Sequence, residues 1–413
     1  MQALIGPLQE LAEFEAIQKE KQKEAGVLQI SGCVNSQKTH MMYALGDGCK
    51  YRVIACSSES KARQVYEEYH MLDPETYFYP AKDFLFYQAD IRSKELQESR
   101  MTVVQAILEE KPLTVVVSFD AFMDALPVKG AMKDRVIRIE NGQTLDFDEI
   151  RKALTENGYD REEQVDGPGQ FAIRGGILDI YPLTGELPVR IELWGDEVDS
   201  IRSFDTDSQR SVQNLNEAVI YPADELPGRP GKRVSFLEYF PPEDTLVFLD
   251  EPTRLVEKGE AVEQEFVEAQ AKRVESGYEV SDDEMELYET AEIVKRMNTY
   301  YCIGLSALDT HGNGFRFRNK FSINTKSVNP YNNSFEMLTR DLKRLKRNDY
   351  RVILLSGSRT RAKRLAEDLR DYNLSSYYSE EQDREVQPGE IMTAYGHVAE
   401  GYEYPMLKFT VIS

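Results

Sequence analysis

Short apolar runs alternate with amphipathic stretches along the first third of the chain. The clearest run is Leu113–Ser118, which reads Leu-Thr-Val-Val-Val-Ser and is typical of a strand buried on both faces of a parallel sheet. Further predicted strands are Val27–Ser31, Tyr51–Cys56 and Tyr77–Tyr79. Predicted helices between them are Lys38–Leu45, Lys61–His70 and Lys94–Glu110. Strands that alternate with helices predict an open α/β sheet.

The pattern changes in the middle of the chain. From Val136 to about Pro222, short strands with period-2 alternation are separated by glycine turns. We interpret this stretch as an inserted α+β module. The apolar strand Asp244–Asp250 then returns to the earlier pattern, and a long acidic helix from about Thr253 to Ala271 follows it.

The last part of the chain is predicted to form another α/β unit. Phe315–Asn324 alternates like a strand, and Ser334 can cap a helix. The elements predicted after that helix are the strand Tyr350–Ser356, the helix Arg359–Leu369 and the strands Ile391–Ala394 and Phe409–Ile412. Because the chain stops in an apolar, strand-like run, we expect it to be part of a longer protein.

The fold class predicted from these patterns is α/β, with a parallel-sheet first domain, an inserted α+β domain and a small α/β third domain. Residues 27–130 are assigned to subdomain 1a, and residues 1–26 with 223–345 to subdomain 1b. The inserted domain is placed at 131–222 and the third domain at 346–413.

The composition of the chain argues against nucleic-acid and membrane partners. Acidic residues number 72 against 50 basic ones, a net charge of −22, which disfavours tight non-specific binding to duplex DNA. The amphipathic N-terminus has no signal-peptide core, and no run reaches the length of a membrane span, so we expect a cytoplasmic protein without a membrane partner. The four cysteines lack metal-ligand spacing, and no metal site is predicted.

One segment has the spacing of a phosphate-binding loop. Gly32-Cys33-Val34-Asn35-Ser36-Gln37-Lys38-Thr39 follows G-x-x-x-x-G-K-[ST], except that Gln37 stands where the second glycine belongs. In a working loop, backbone N–H groups surround phosphates, the lysine reaches the outer phosphates and the threonine holds Mg²⁺. A Cβ at position 37 predicts a degenerate, non-functional nucleotide site.

A second segment resembles the acidic partner of such a loop. Leu246-Val247-Phe248-Leu249 leads into Asp250-Glu251, residue types that organise Mg²⁺ and the attacking water in nucleotide-driven motors. The alternative is that Asp250 and Glu251 only end a core strand, since Pro252 suits the first turn of a helix. We expect no ATP hydrolysis from this chain.

The inserted module carries the most distinctive surface. Side chains alternate along a strand, so if Val189, Ile191 and Leu193 point inward, then Arg190 and Trp194 point outward. The same reasoning on the preceding strand places Arg174 outside when Phe171 and Ile173 are inside. Exposed tryptophan beside arginine is typical of partner sites. The alternative is that Trp194 covers a neighbouring domain.

The sequence of this module resembles a known family. Gln170-Phe171-Ala172-Ile173-Arg174-Gly175-Gly176, Asp179-Ile180-Tyr181-Pro182, Val189-Arg190-Ile191-Glu192 and Gly195-Asp196-Glu197-Val198-Asp199-Ser200-Ile201 are similar to domain 2 of the excision-repair protein UvrB. The same module occurs at the N-terminus of the transcription-repair coupling factors. The damaged loop favours the coupling factors, as does the segment from Tyr79 to Arg100, which is too short for UvrB's damage-probing hairpin.

The resemblance implies a function for each part. It implies a degenerate UvrB- and helicase-like first domain, and a UvrA-binding inserted domain whose contacts fall on Arg174, Arg190 and Trp194. The full family protein is an ATP-dependent DNA translocase that displaces stalled RNA polymerase. It would use ATP, Mg²⁺, RNA polymerase and double-stranded DNA through domains absent here, so no cofactor is expected in this chain. A C-terminal domain would mask the UvrA surface.

Two other functions stay open from the sequence. One is a UvrB-type ATP-dependent helicase that binds damaged DNA. The other is a DNA-binding module that uses a basic stripe, whose residues are Arg340, Lys343, Arg344, Lys346, Arg347, Arg359, Arg361, Lys363 and Arg364. The stripe is also compatible with an ordinary solvated helix face opposite Leu338, Leu342 and Leu345.

Overall fold

The structure, a computed structural model, describes residues 2–21, 25–82, 94–225, 231–275, 287–331, 334–380 and 384–413. Half of the segment predicted to be too short for a damage-probing hairpin therefore lies outside the described residues, which omit 83–93. The mixed α/β architecture predicted from the sequence is confirmed, with one large parallel sheet and two further six-stranded sheets.

The described helices and strands have the following bounds. In chain order the α-helices are α1 (Gln2–Ile5), α2 (Ala12–Glu20), α3 (Asn35–Leu45), α4 (Glu59–His70), α5 (Lys94–Leu108), α6 (Lys129–Lys133), α7 (Phe147–Glu156), α8 (Pro252–Glu275), α9 (Thr290–Met297), α10 (Phe335–Arg347) and α11 (Arg359–Asp371). In chain order the strands are β1 (Gly26–Ser31), β2 (Tyr51–Cys56), β3 (Thr76–Tyr79), β4 (Leu113–Ser118), β5 (Ala125–Pro127), β6 (Ile137–Glu140), β7 (Asp160–Arg161), β8 (Gln170–Arg174), β9 (Ile177–Tyr181), β10 (Val189–Trp194), β11 (Glu197–Phe204), β12 (Ser211–Leu215), β13 (Glu217–Ile220), β14 (Arg233–Ser235), β15 (Thr245–Asp250), β16 (Tyr301–Ser306), β17 (Phe317–Ser322), β18 (Lys326–Ser327), β19 (Arg351–Ser356), β20 (Ser376–Tyr378), β21 (Ile391–Tyr395), β22 (Tyr402–Tyr404) and β23 (Phe409–Ile412).

The first domain is built on a parallel sheet with the order β17-β1-β16-β15-β2-β4-β3. Its central strands β15 and β16 are buried at every position, as continuous apolar runs in parallel sheets usually are. The predicted strands at β1, β2, β4 and β15 are confirmed within about one residue. Strand β16 and helix α9 are missing from the sequence prediction. The loops after β1 and β15 meet at the same edge of the sheet.

The inserted domain contains an antiparallel sheet with the order β12-β11-β10-β9-β8, extended by the two-residue strand β7. The inner face of this sheet packs into the core shared with the first domain through Phe171, Leu178, Ile180 and Ile191. Its outer face carries the polar residues of the candidate site. The predicted inserted α+β module is therefore present as a half-buried sheet with one polar face.

A buried arginine ties the inserted domain to the first domain. Arg100 of α5 donates to Asp124, just before the insertion, at 2.7 Å, and to Glu225, just after it, at 2.9 Å. Lys82 adds a second ion pair to Glu225 at 2.7 Å. The guanidinium also lies over the Tyr79 ring, 4.2 Å from its centre. One cation thus holds both chain connections of the inserted domain.

The third sheet has the order β18-β22-β23-β19-β21-β20. Alternate residues of β19 face opposite ways, so Val352 and Leu354 pack in the core that contains Leu342 and Leu345 of α10. Ile353 packs instead in the core shared with the first domain. The predicted domain borders stay predictions, but the border placed after residue 345 separates most of α10 from the sheet on which it packs.

Candidate functional site

The loop after β1 has a compact backbone. Gly32 adopts a positive φ of 82°, and a Cβ added there would lie 1.9 Å from the carbonyl oxygen of Ile323. Thr325 donates to the Gly32 carbonyl at 2.6 Å. The segment after β17 therefore packs directly on the loop, and only glycine fits at position 32.

Helix α3 begins at Asn35, so the prediction that it starts at Lys38 is wrong. The cause is Gln37, which lies in the third helical position. Its Oε1 accepts a hydrogen bond from the Val34 N–H at 3.2 Å, the reciprocal contact of a capping box. Its Nε2 donates to the Tyr404 hydroxyl at 2.9 Å. The three residues before Lys38 thus form a helical turn instead of an open phosphate loop.

Two backbone donors at the start of the loop are used within the protein. Gly32 N–H donates to the Ala307 carbonyl at 3.3 Å, and Cys33 N–H donates to the Ser306 carbonyl at 3.1 Å. Both acceptors lie at the end of β16. These are the types of backbone group that surround phosphates in working loops, and here the neighbouring strand holds them.

Lys38 is neutralised by the two carboxylates that follow β15. Its Nζ lies 2.7 Å from Asp250 Oδ1 and 2.5 Å from Glu251 Oε1. Burial by itself would lower the pKa of the Lys38 ammonium, but the negative charges of Asp250 and Glu251 outweigh it and raise the pKa. Thr39 is buried in the following turn. The structure thus brings the sequence-predicted residues together as a closed ion-pair cluster.

In the described parts of the chain, no group of three or more acidic, histidine or cysteine side chains could hold a metal ion. Asp250 and Glu251 could act as carboxylate ligands only if Lys38 moved away from them. The carboxylates and the lysine are chemically suited to Mg²⁺ and phosphate, but here they bind one another.

The outer face of the inserted sheet follows the predicted alternation. On β10, Val189 and Ile191 are buried, whereas Arg190 lies on the opposite face. Arg174, at the end of β8, is exposed. The register places Arg190 of β10 beside Asp179 of β9, so the two side chains share one face of the sheet.

Asp179 binds both arginines of this face. Its Oδ2 accepts from Arg174 Nη2 at 2.7 Å, and its two oxygens accept from Arg190 Nε and Nη2 at 2.7 and 2.8 Å. The Arg190 side chain is only 12% exposed, whereas that of Arg174 is 43% exposed. The hydrogen bond to Asp179 is the main cause that raises the pKa of Arg190. The sequence prediction missed Asp179.

Two further contacts immobilise Arg190. Gln209 Oε1 accepts from its Nη2 at 2.8 Å, and the guanidinium lies 4.3 Å from the centre of the Phe204 ring. Beside it, Arg202 donates to Glu192 at 2.5 and 2.9 Å, and this hydrogen bonding lowers the pKa of Glu192. The face therefore presents arginines whose charges are largely paired within the sheet.

Trp194 lies at the end of β10, before the turn that leads to β11. It is 85% exposed and precedes the turn at Gly195, where φ is 65°. A bulge between Glu192 and Leu193 interrupts the pairing with β11 just before it. Within the described residues no neighbour covers the indole, so the alternative that Trp194 covers an adjacent domain of this chain is wrong for that part of the chain. Such an exposed indole is typical of a partner contact.

The basic stripe is a solvent-facing helix surface. Leu342 and Leu345 of α10 are buried, whereas Lys343, Arg344 and Arg347 are exposed. Acidic residues on the same helix pair with part of the stripe, because Glu336 lies 3.5 Å from Arg340 and Asp341 lies 3.5 Å from Arg344. The surface matches the solvated-face interpretation more closely than a DNA-binding one.

Comparison with known sequences shows what the inserted domain is similar to. The family model described as "UvrB interaction domain" matches residues 137–226, the part that contains Arg174, Arg190 and Trp194. The chain matches the N-terminal region of the transcription-repair-coupling factors. The factor of Bacillus subtilis (strain 168) is 28% identical over 401 residues, covering 83% of this chain and 34% of that protein.

Two more transcription-repair-coupling factors match this chain. A transcription-repair-coupling factor of Staphylococcus epidermidis (strain RP62A) is 25% identical over 398 residues, covering 83% of this chain and 33% of its own length. That of Staphylococcus aureus (strain MRSA252) is 35% identical over 146 residues, covering 35% of this chain and 12% of its own. The chain thus spans about a third of the length of the curated relatives that it matches over most of its sequence.

These similarities support a role in transcription-coupled DNA repair. Among the described residues, none of the helices combines the length and the apolar character that crossing a membrane requires.

Proposed function

We propose that this chain is a docking platform of transcription-coupled DNA repair whose inserted domain recruits UvrA to stalled RNA polymerase. The observation that carries the proposal is the exposed Trp194 indole at the end of β10, the strand that also carries Arg190, within the region that matches the UvrB interaction domain. Tryptophan and arginine side chains on one exposed sheet are the residue types that are enriched in interface hot spots.

The three predicted contact residues differ in exposure, so we expect them to contribute differently to binding. Trp194 supplies apolar area, and the half-exposed Arg174 supplies hydrogen-bond donors to an acidic partner surface. Arg190 is mostly covered and holds the sheet's outer face through Asp179 and Gln209. We therefore expect Trp194 and Arg174 to contact UvrA more extensively than Arg190 does.

The first domain is proposed to be non-catalytic. The supporting observations are the helical turn at Gln37 and the closed cluster of Lys38 with Asp250 and Glu251. In the longer protein, ATP, Mg²⁺, RNA polymerase and double-stranded DNA would act through other domains, and a C-terminal domain would mask the UvrA surface. ATP hydrolysis by this chain that is abolished by Lys38→Ala would contradict the proposal and favour the UvrB-type alternative.

Calorimetric titration of the purified chain against UvrA tests the docking surface. Trp194→Ala should weaken binding by at least about 2 kcal/mol, as expected for a hot-spot aromatic. Leu308→Ala is the matched control, because Leu308 is an exposed apolar residue (77%) of the first domain, outside the proposed surface. Equal affinity of the chain and the Trp194→Ala variant would show that UvrA binds elsewhere.

A further inference from the structure

The third domain presents one face of its sheet to the first domain. Ile353, Met392 and Val411 point from this face into a core that also contains Leu4 and Met41. The opposite face is covered by α10 and α11. Arg351 of β19 pairs with Glu10 of the first domain at 2.6 Å, and a larger group of polar contacts lies around the helical turn at Gln37.

A directed chain of hydrogen bonds lies at the centre of the interface. His40 Nε2 is 3.0 Å from the Leu4 carbonyl, which can only accept, so Nε2 carries the proton. His40 is fully buried, and burial lowers its pKa to about 4, so the ring is neutral at pH 7 and Nδ1 accepts. The Tyr404 hydroxyl, 2.9 Å from Nδ1, therefore donates to His40 and accepts from Gln37 Nε2.

The residues before Gln37 contact the same part of the third domain. Glu68 Oε1 accepts from Ser36 Oγ at 2.7 Å and from the Ala399 N–H at 2.9 Å. Ser36 Oγ in turn accepts from the Glu400 N–H at 3.1 Å. Asn35 Nδ2 also donates to the Glu400 carboxylate. Asn35, Ser36 and Gln37, three successive positions of the segment Gly32–Thr39 (here called the former phosphate loop), thus bind Glu400 and Tyr404.

We propose that this face of the third domain is an interaction surface whose partner is the former phosphate loop, so that the third domain acts as the built-in ligand of that loop. The side chain of Gln37, which fills the place of the second glycine, also supplies the amide that binds Tyr404. Glycine at that position would offer neither the capping contact to Val34 nor the donor to Tyr404. With Gln37 at this position, the loop is held by a protein domain, whereas a working phosphate loop is held by its nucleotide.

Hydrogen–deuterium exchange of the whole chain tests this role. Tyr404→Phe removes the central hydroxyl and leaves the Gln37 amide and His40 Nδ1 buried without that partner. Amides of residues 35–41 and 397–404 should then exchange at least about tenfold faster, the equivalent of one lost buried hydrogen bond. The control is Tyr378→Phe in the same sheet, because the Tyr378 hydroxyl is buried and has no hydrogen-bond partner among the described residues.

Gln37→Met provides a second variant of similar size that keeps the apolar stem and removes both amide contacts. It should accelerate exchange in the same two segments, and adding Tyr404→Phe should have less effect than in the unmodified chain, because the partners act as a pair. Unchanged exchange at residues 397–404 in both variants, an effect no larger than that of Tyr378→Phe, or fully additive effects would overturn the proposal.

Discussion

At the scale of single residues, Asp179 organises the outer face of the inserted sheet, because its carboxylate binds both Arg174 and Arg190. Period-2 alternation was sufficient to predict that Arg174 and Trp194 lie on this face. Asp179 was missed because an acidic residue on an outer strand face has the same pattern whether it is solvated or paired. Its role depends on the register between β9 and β10, which brings it beside Arg190.

Replacement of Asp179 by asparagine tests that register-dependent role. Asp179→Asn removes the charge that pairs with Arg174 and Arg190 and leaves the mostly covered Arg190 without its directly bonded carboxylate. We expect a loss of about 3 kcal/mol in the free energy of unfolding, as is typical when one partner of a buried ion pair is removed. Urea denaturation would measure it.

Glu192→Gln is the matched control for Asp179→Asn. It breaks the pair with Arg202 on the same face, where both side chains keep substantial contact with water, so a loss of about 1 kcal/mol or less is expected. Similar losses in the two variants would mean that Asp179 is no more important than an ordinary surface carboxylate.

At the scale of elements, the predictions succeeded where the local sequence determines the structure. The apolar runs of β1, β2, β4 and β15 were assigned correctly because their burial is continuous along the strand. Strand β16 was missed, although Tyr301–Ser306 is apolar at most positions, because its place between β1 and β15 depends on partners distant in sequence. The start of α3 was missed because the glycine-loop spacing suggested a loop up to Lys38.

The connections of the inserted domain give an element-scale prediction. Arg100→Ala would leave Asp124 and Glu225 buried with less positive charge near them, and should lower the free energy of unfolding by about 3–5 kcal/mol. Burial raises the pKa of Asp124, whereas the charges of Arg100 and Lys82 outweigh burial at Glu225 and lower its pKa.

Lys82→Ala serves as the comparison for Arg100→Ala in calorimetric unfolding. Lys82 is more exposed than Arg100, and in the Lys82→Ala variant Arg100 still pairs with Glu225. Lys82→Ala should therefore lower the free energy of unfolding clearly less than Arg100→Ala does. If both variants unfolded at the same temperature as the unmodified chain, the buried guanidinium would not hold the inserted domain.

At the scale of the whole molecule, a single hydrophobic cluster joins the first domain to the third. The sequence predicted three domains, yet the fully buried His40 lies in the interface between two of them. Its folded pKa of about 4 is below the ordinary value of 6.5, so the unfolded chain binds more protons between these values. Stability from this group is therefore fully present above about pH 6.5 and is lost as the pH falls toward 4.

We expect the free energy of unfolding to decrease by up to about 3 kcal/mol from pH 6.5 to pH 4 through His40 alone. The measurement is urea unfolding across this range for the chain and for His40→Gln, which cannot take up the proton. Carboxylates contribute to both profiles, so the difference between the two curves isolates the histidine. Parallel curves would show that His40 does not titrate differently in the folded and unfolded states.

Trp194 is the only tryptophan in the chain, and it lies at the outer tip of the inserted sheet. The protein therefore carries a native optical reporter at this single position. Its emission, selected by excitation at the red edge of tyrosine absorption, arises from that tip alone, whatever happens in the other domains. A group that covers the indole would shift this emission to shorter wavelengths without any added label. Titrations could then follow occupancy of the tip directly in the unmodified chain.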